Sequence, residues 1–196
     1  MEYPDGTRLA NDGRYYTPSG AIRSIVDEVG GFIFIDELKT AIHRGEAYGY
    51  DVEHTLAAGT SLEFIGVTGS KQLHFEEFVG DFSQGNIRIT LYEGCVTSND
   101  GTEVIPYALN RAKIIAQTMK LYTDPTVTSN GEKIAGKFLP ISGGGSNVSP
   151  ISGGIAKGRV LKANTKYLFV IENIDTNTAN KFGANFEWSE TSVILA

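Results

Sequence analysis

The segment Ile87-Arg88-Ile89-Thr90-Leu91-Tyr92, residues 87–92, decides the fold class. Ile87, Ile89 and Leu91 fall on one side of an extended chain, and Arg88, Thr90 and Tyr92 on the other. A period of two belongs to a strand with one face on a core and the other toward water or a partner. The alternation recurs upstream: Leu62, Phe64 and Gly66 against Glu63, Ile65 and Val67, then Leu73 and Phe75 against His74 and Glu76. Further strands are expected over 112–122, 133–139, 159–163, 166–173 and 184–195. Turn signals separate them at Thr68-Gly69-Ser70, Ser98-Asn99-Asp100-Gly101, Asp124-Pro125 and Asn130-Gly131. Asp100-Gly101 and Asn130-Gly131 read as hairpins, because both central residues accept positive φ. Short strands punctuated by turns every 8–12 residues or about that predict a sandwich or barrel.

Outward from these strands the pattern weakens. The stretch from Ser142 to Gly158 is rich in Gly, Ser and Asn and repeats Ile-Ser-Gly-Gly at 141–144 and 151–154. It reads either as an exposed loop or as a segment reaching a neighbour. Residues 1–20 are polar, with Tyr3, Tyr15 and Tyr16 as apolar anchors, which suits an arm that lies against something else. Ile22, Ile25, Val26 and Val29 recur at helical spacing between Ser19, a candidate N-cap, and Gly30-Gly31, a candidate stop. A short helix is expected there. From Phe32 to His43 the reading stays open between a strand over Phe32–Ile35 and a helical turn over Asp36–His43.

The chain has 196 residues, 41% of them apolar and 20% charged. That is an ordinary globular composition, long enough for a self-sufficient core. Cys95 is the single cysteine, so no disulfide forms within the chain. No apolar run approaches the roughly 20 residues that span a bilayer, and the start MEYPDGTRLAND is not a secretory signal. Synthesis in a cytosol and no membrane partner are expected. The net charge is −6. Residues 1–57 carry ten acids and five Lys or Arg; residues 58–196 carry thirteen acids and twelve bases. No basic stripe stands out, so nucleic acid is not an expected partner. The acidic N-terminal third reads as a solvated arm.

Chemistry is sparse. His43, His54 and His74 lack the close spacing of a local metal pair, and Cys95 has no Cys or His beside it. Glu76 and Glu77 are adjacent, and Glu187 and Glu190 differ by three, so a regular strand sets each pair on opposite faces. Neither pair suits the two facing carboxylates of a glycosidase. There is no GxSxG elbow and no phosphate-binding P-loop. The expectation is a non-enzyme with no catalytic, cofactor or metal residues. Tyr167, Phe169, Phe186 and Trp188 read as core rather than as a sugar-stacking platform.

Four motifs run in order along the chain: Ala41-Ile42-His43-Arg44-Gly45-Glu46-Ala47-Tyr48; Ile89 to Gly94, followed by Asn110-Arg111; Leu161 to Asn173; and Asn185-Phe186-Glu187-Trp188-Ser189-Glu190. Together, over residues 40–195, the set resembles a family of tailed-bacteriophage virion proteins with a jelly-roll-like domain. Residues 1–39 lie outside it. The resemblance implies a mainly β, jelly-roll-like antiparallel sandwich over 41–196, behind an N-terminal arm with one short helix over 1–40. It also implies a non-enzymatic structural role, foremost head decoration or capsid cementing. The major capsid protein and copies of the chain itself, as a homotrimer, are then the partners. The expected location is the capsid surface of the virion, after synthesis in the host cytoplasm. Tyr3, Tyr15, Tyr16, Ile22 and Ile25 are the arm's candidate partner-binding residues. The alternative is a receptor- or carbohydrate-binding module of a fibre or tail, with a host-surface glycan as partner. Within the motifs, Gly94 is expected to bend the chain, Arg111 to pair with Glu93, Asn164 to make a turn and Trp188 to anchor the core.

Overall fold

The computed structural model describes residues 37–83, 86–140, 151–155 and 158–191, and before residue 37 the backbone of four short strands. The chain divides into two compact units, Met1–Thr40 and Ala41–Ala196. In the first, β1 (Arg8–Leu9), β2 (Arg14–Tyr16), β3 (Ile22–Val26) and β4 (Phe32–Ile33) form an antiparallel sheet in chain order. The helix expected from Ile22 is therefore corrected to a strand. Three of the five residues of β3 are β-branched and restricted in a helix. They pair instead across strands, Val26 with Phe32, Ile25 with Ile33 and Ile22 with Tyr16. Tyr15, Tyr16, Ile22 and Ile25 lie in β2 and β3, and Tyr3 lies outside the described residues.

The short helix is α1 (Glu37–Arg44), in the stretch the sequence left open. His43 and Arg44 occupy its last turn, where cations suit the negative end of the helix dipole. Gly45, at φ 78°, closes it. Its N–H donates to Ile42 O and that of Glu46 to Ala41 O, both at 2.9 Å, the paired bonds of a left-handed cap.

The second unit continues with β5 (Ala47–Leu56), β6 (Ser61–Val67), β7 (Gln72–Phe82), β8 (Ile87–Glu93), β9 (Val96–Asn99), β10 (Thr102–Val104) and β11 (Tyr107–Ala108). The chain then returns through β12 (Lys120–Thr123), β13 (Thr126–Ser129), β14 (Glu132–Leu139), β15 (Ile151–Ile155), β16 (Arg159–Leu161), β17 (Lys166–Asn173) and β18 (Asn180–Thr191). The return pairs with the outgoing half in nested order. β18 lies on β5, β17 on β6, β16 and β15 on β7, β14 on β8, β13 on β9 and β12 on β10, all antiparallel. Rolling this ribbon adds lateral pairings, β18 with β7, β17 with β8 and β12 with β6, and β11 adds to β5. The result is two six-stranded sheets, β11-β5-β18-β7-β15 with β16 also on β7, and β10-β12-β6-β17-β8-β14. The unit is a jelly-roll sandwich.

Three expectations need correction. Residues 113–119 are not a strand; only Lys120–Thr123 is, because the polar groups around Thr118 are held by a side chain described below. The second Ile-Ser-Gly-Gly belongs to β15, where Gly153 faces Gly80 and Gly154 faces Val79, so two backbones pair where a loop was one reading. Residues 141–150 lie outside the described residues. Asp100-Gly101 and Asn130-Gly131 are turns but not hairpins, since the strands on either side of each pair elsewhere.

The core lies between the sheets. Tyr167, Phe64, Phe75, Phe169, Phe186 and Trp188 are each at most 1% exposed. Phe186 joins the layers: its ring meets Phe64 and Phe169 of the facing sheet at 5.1 and 5.4 Å, and Phe78 of its own at 4.6 Å, all edge-on. Edge-on pairs add to the apolar burial. Phe186→Ala is expected to cost roughly 3–5 kcal/mol, read as a lower urea midpoint. Val96→Ala, at a half-exposed position, is expected to change stability by less than about 0.5 kcal/mol.

Candidate functional site

Tyr167, Phe169, Phe186 and Trp188 belong to the core, each 0–1% exposed, and offer no sugar-stacking platform. The jelly roll thus fills its own interior.

On the outer face of β5, β18 and β7, alternation sets out Asp51, Glu53, Lys181, Asn185 and Asp81. Asp51 accepts hydrogen bonds from the Tyr107 hydroxyl at 3.0 Å and from Asn185 Nδ2 at 2.6 Å. Burial, and then Asp51, raise the pKa of the Tyr107 hydroxyl. Tyr107 lies over Gly49, where an added Cβ would come within 2.8 Å of its ring. Glu53 and Asp81 flank Gly183 in register, two strand spacings apart, or about 10 Å. They border an open depression of about 650 Å³ with His54, Thr55, Ser83 and Lys181. A bulge in β7 opposite Glu187–Trp188 interrupts the regular register there. Glu187 and Glu190 do fall on opposite faces, Glu190 being 1% exposed and Glu187 half-buried.

Glu190 was not foreseen as special. Its Oε2 accepts from Thr118 N–H at 2.7 Å and Thr118 Oγ1 at 2.8 Å, and its Oε1 from Met119 N–H at 2.8 Å. The Tyr48 hydroxyl donates to Ile115 O at 2.8 Å, and its pKa is pushed up to about 12 by burial, then Glu190 and Glu46. The carboxylate supplies the acceptors that a neighbouring strand would give. It thereby pins the crossing from β11 in one sheet to β12 in the other.

The outer face of the second sheet is covered by its own chain. β8 and β14 form one edge of that sheet, and β10 and β12 the other. Between them β9 and β13 pair only with each other. The same ribbon therefore leaves one edge and rejoins the other, as a strap across β17 and β6. Beneath it Ile65, Leu168 and Cys95 form a second small core, flanked by Val67, Tyr92, Tyr122, Val127 and Val170. Glu93 pairs with Glu132, so Gly94 faces Gly131; Thr102 pairs with Thr123, so Gly101 faces Asp124. All four have positive φ, from 55° to 100°. Both arms fold at the same two levels. A Cβ on Gly131 would stand 2.2 Å from Glu93 O, which excludes any side chain there.

Charged groups fasten the strap. Lys166 Nζ, from β17, meets Asp100 Oδ1 at 2.5 Å and Thr97 Oγ1 at 2.9 Å. Glu93 accepts from Lys162 Nζ at 2.5 Å and from the Tyr167 hydroxyl at 2.9 Å. Arg111, expected to pair with Glu93, is exposed, and Lys162 takes that place because the Asn164 turn (φ 51°) brings it beside Tyr167. Lys166 and then Thr97 hold Asp100 below its ordinary range, and the Lys162 hydrogen bond does the same for Glu93. The strap had a readable signal, the repeat of Val-Thr-Ser-Asn at 96–99 and 127–130.

Among the described residues no cluster of three His, Cys, Asp or Glu forms a metal centre, and no helix is long and apolar enough to cross a membrane. No protein-family model matches the chain, and no curated protein does. Among solved structures, infectious bursal disease virus VP2 in its subviral particle aligns at 13% identity and TM-score 0.18, over 95% of this chain and 50% of that one. The infectious bursal disease virus Gt strain aligns at 16% identity and TM-score 0.17, over 93% and 50%. The chain spans about half the length of these structures, and at such TM-scores they carry no weight below. The class is set by topology alone: a jelly-roll sandwich with a filled interior and one strapped face.

Glu190→Gln would aim an amide N–H₂ at a backbone donor and is expected to cost about 1.5–3 kcal/mol by thermal melting. Glu103→Gln, at an exposed pair with Lys120, is expected to be nearly neutral. Asp100 and Glu93 have lowered folded-state pKa values, so their contribution is complete above the ordinary carboxylate range. It is lost as pH falls through the lowered values. Stability is expected to be flat from neutral pH to about pH 5 and to decline below about pH 4, with Asp100→Asn flattening that acid limb.

Proposed function

We propose that this chain is a non-enzymatic structural protein of a virion, most specifically a decoration or cementing protein of a tailed-phage head. The observation that carries the reading is the filled interior. Phe186 and its neighbours occupy the space in which other jelly rolls hold ligands, so recognition falls to outer surfaces. The four ordered motifs between Ala41 and Glu190 support it from the sequence, and each has a structural task. Gly45 caps α1, Glu93 and Gly94 end β8 beneath the strap, Asn164 turns into β17, and Glu190 pins the 113–119 crossing. Fold alone does not fix function; the motifs add the choice among jelly-roll roles.

In this reading residues 1–40 are the arm, with Tyr3, Tyr15, Tyr16, Ile22 and Ile25 its contacts, and the protein binds the major capsid protein as a homotrimer. Light scattering on the purified chain is then expected to give about 64 kDa, three chains of 21.2 kDa. Added to bare shells, it is expected to bind and to raise their resistance to heat. A chain lacking residues 1–30 is expected to stay folded but not to bind. Full occupancy by that truncated chain would refute the arm's role, and no binding by the intact chain would refute the cementing role.

A further inference from the structure

We propose that the strap is a latch that opens as a unit while the sandwich stays folded, with Lys166 as its catch. β9 and β13 are four residues each, pair only with each other, and carry two register irregularities in that short ladder. A two-stranded ribbon is marginal by itself. Ser98, Asn99, Thr126, Thr128 and Ser129 face solvent, so the strap's own apolar burial comes to Cys95 and Val127 over the small Ile65–Leu168 floor. Segments with few buried contacts and exposed backbone are where local opening concentrates. Both ends are hinged: Gly94 with Gly131, and Gly101 with Asp124, lie opposite one another, so both arms can turn at the same levels without breaking β8–β14 or β10–β12. Across the strap, side-chain fastening to the sheet below comes to Lys166, through Asp100 and Thr97.

The sequence supplies a reporter. Cys95 is the single cysteine, 5% exposed, and its backbone N–H lies against the Gly131 hinge. Reaction of its thiol with 4,4′-dithiodipyridine in the native protein reads the opening. Modification is expected well below the unfolding transition, at a rate that rises with dilute guanidinium far less steeply than global unfolding, since opening uncovers only the small Ile65–Leu168–Cys95 cluster. Asp100→Asn and Lys166→Met are expected to speed it roughly three- to tenfold, the range for a partly exposed, hydrogen-bonded charge pair, with the guanidinium dependence of the rate staying shallow. Lys120→Met, which removes the exposed Lys120–Glu103 pair at the neighbouring edge, is expected to leave the rate unchanged. Modification only through global unfolding, with the full guanidinium dependence, would overturn the proposal. So would a modification rate that Asp100→Asn and Lys166→Met leave unchanged.

Discussion

Antiparallel pairing of residues 47–104 with residues 120–191, in strictly nested order, is the constraint on which the rest of the second unit depends. Once β5 lies on β18, each inner pair has one available partner, and rolling brings β18 onto β7 and β17 onto β8. The interior then fills from alternate positions of the strands in the two sheets, and the aromatic cluster around Phe186 locks the roll. The contacts are overwhelmingly non-local. Such topologies fold slowly, because loop closure must precede the contacts that reward it.

The strands were legible because each has one face on the core. Ile87, Ile89 and Leu91 are buried to within 1%, as their alternation required. Lys166–Asn173 has the bounds the sequence implied, between the Asn164 turn and a polar loop. What failed, failed for physical reasons. The spacing of Ile22, Ile25 and Val26 fits either period, and cross-strand partners decided it. The Asp100-Gly101 and Asn130-Gly131 signals located turns correctly. Local chemistry could not say that each turn faces another positive-φ residue across a ribbon rather than closing one. Glu190 was invisible as a clamp, since its three donors come from residues 118 and 119, far away in sequence.

The two sheets divide the labour of the surface. One outer face is roofed by the chain itself and carries an apolar floor of Ile65 and Leu168. The other is polar, with Asp51, Glu53 and Asp81 around Gly183 and Asn185. Glu190 lies where the chain crosses between the layers, so the register of one sheet is tied to the other through a single carboxylate.

The opposition of Gly94 to Gly131 and of Gly101 to Asp124 also limits how the chain can change in length. A residue inserted into one arm alone would slide every bend past its counterpart and turn the Cys95 side of the strap outward, since a strand inverts its faces at each step. Matched insertions in both arms would lengthen the span and leave the bends aligned. The arms are therefore coupled in length: a change matched in both keeps Gly94 opposite Gly131 and Gly101 opposite Asp124.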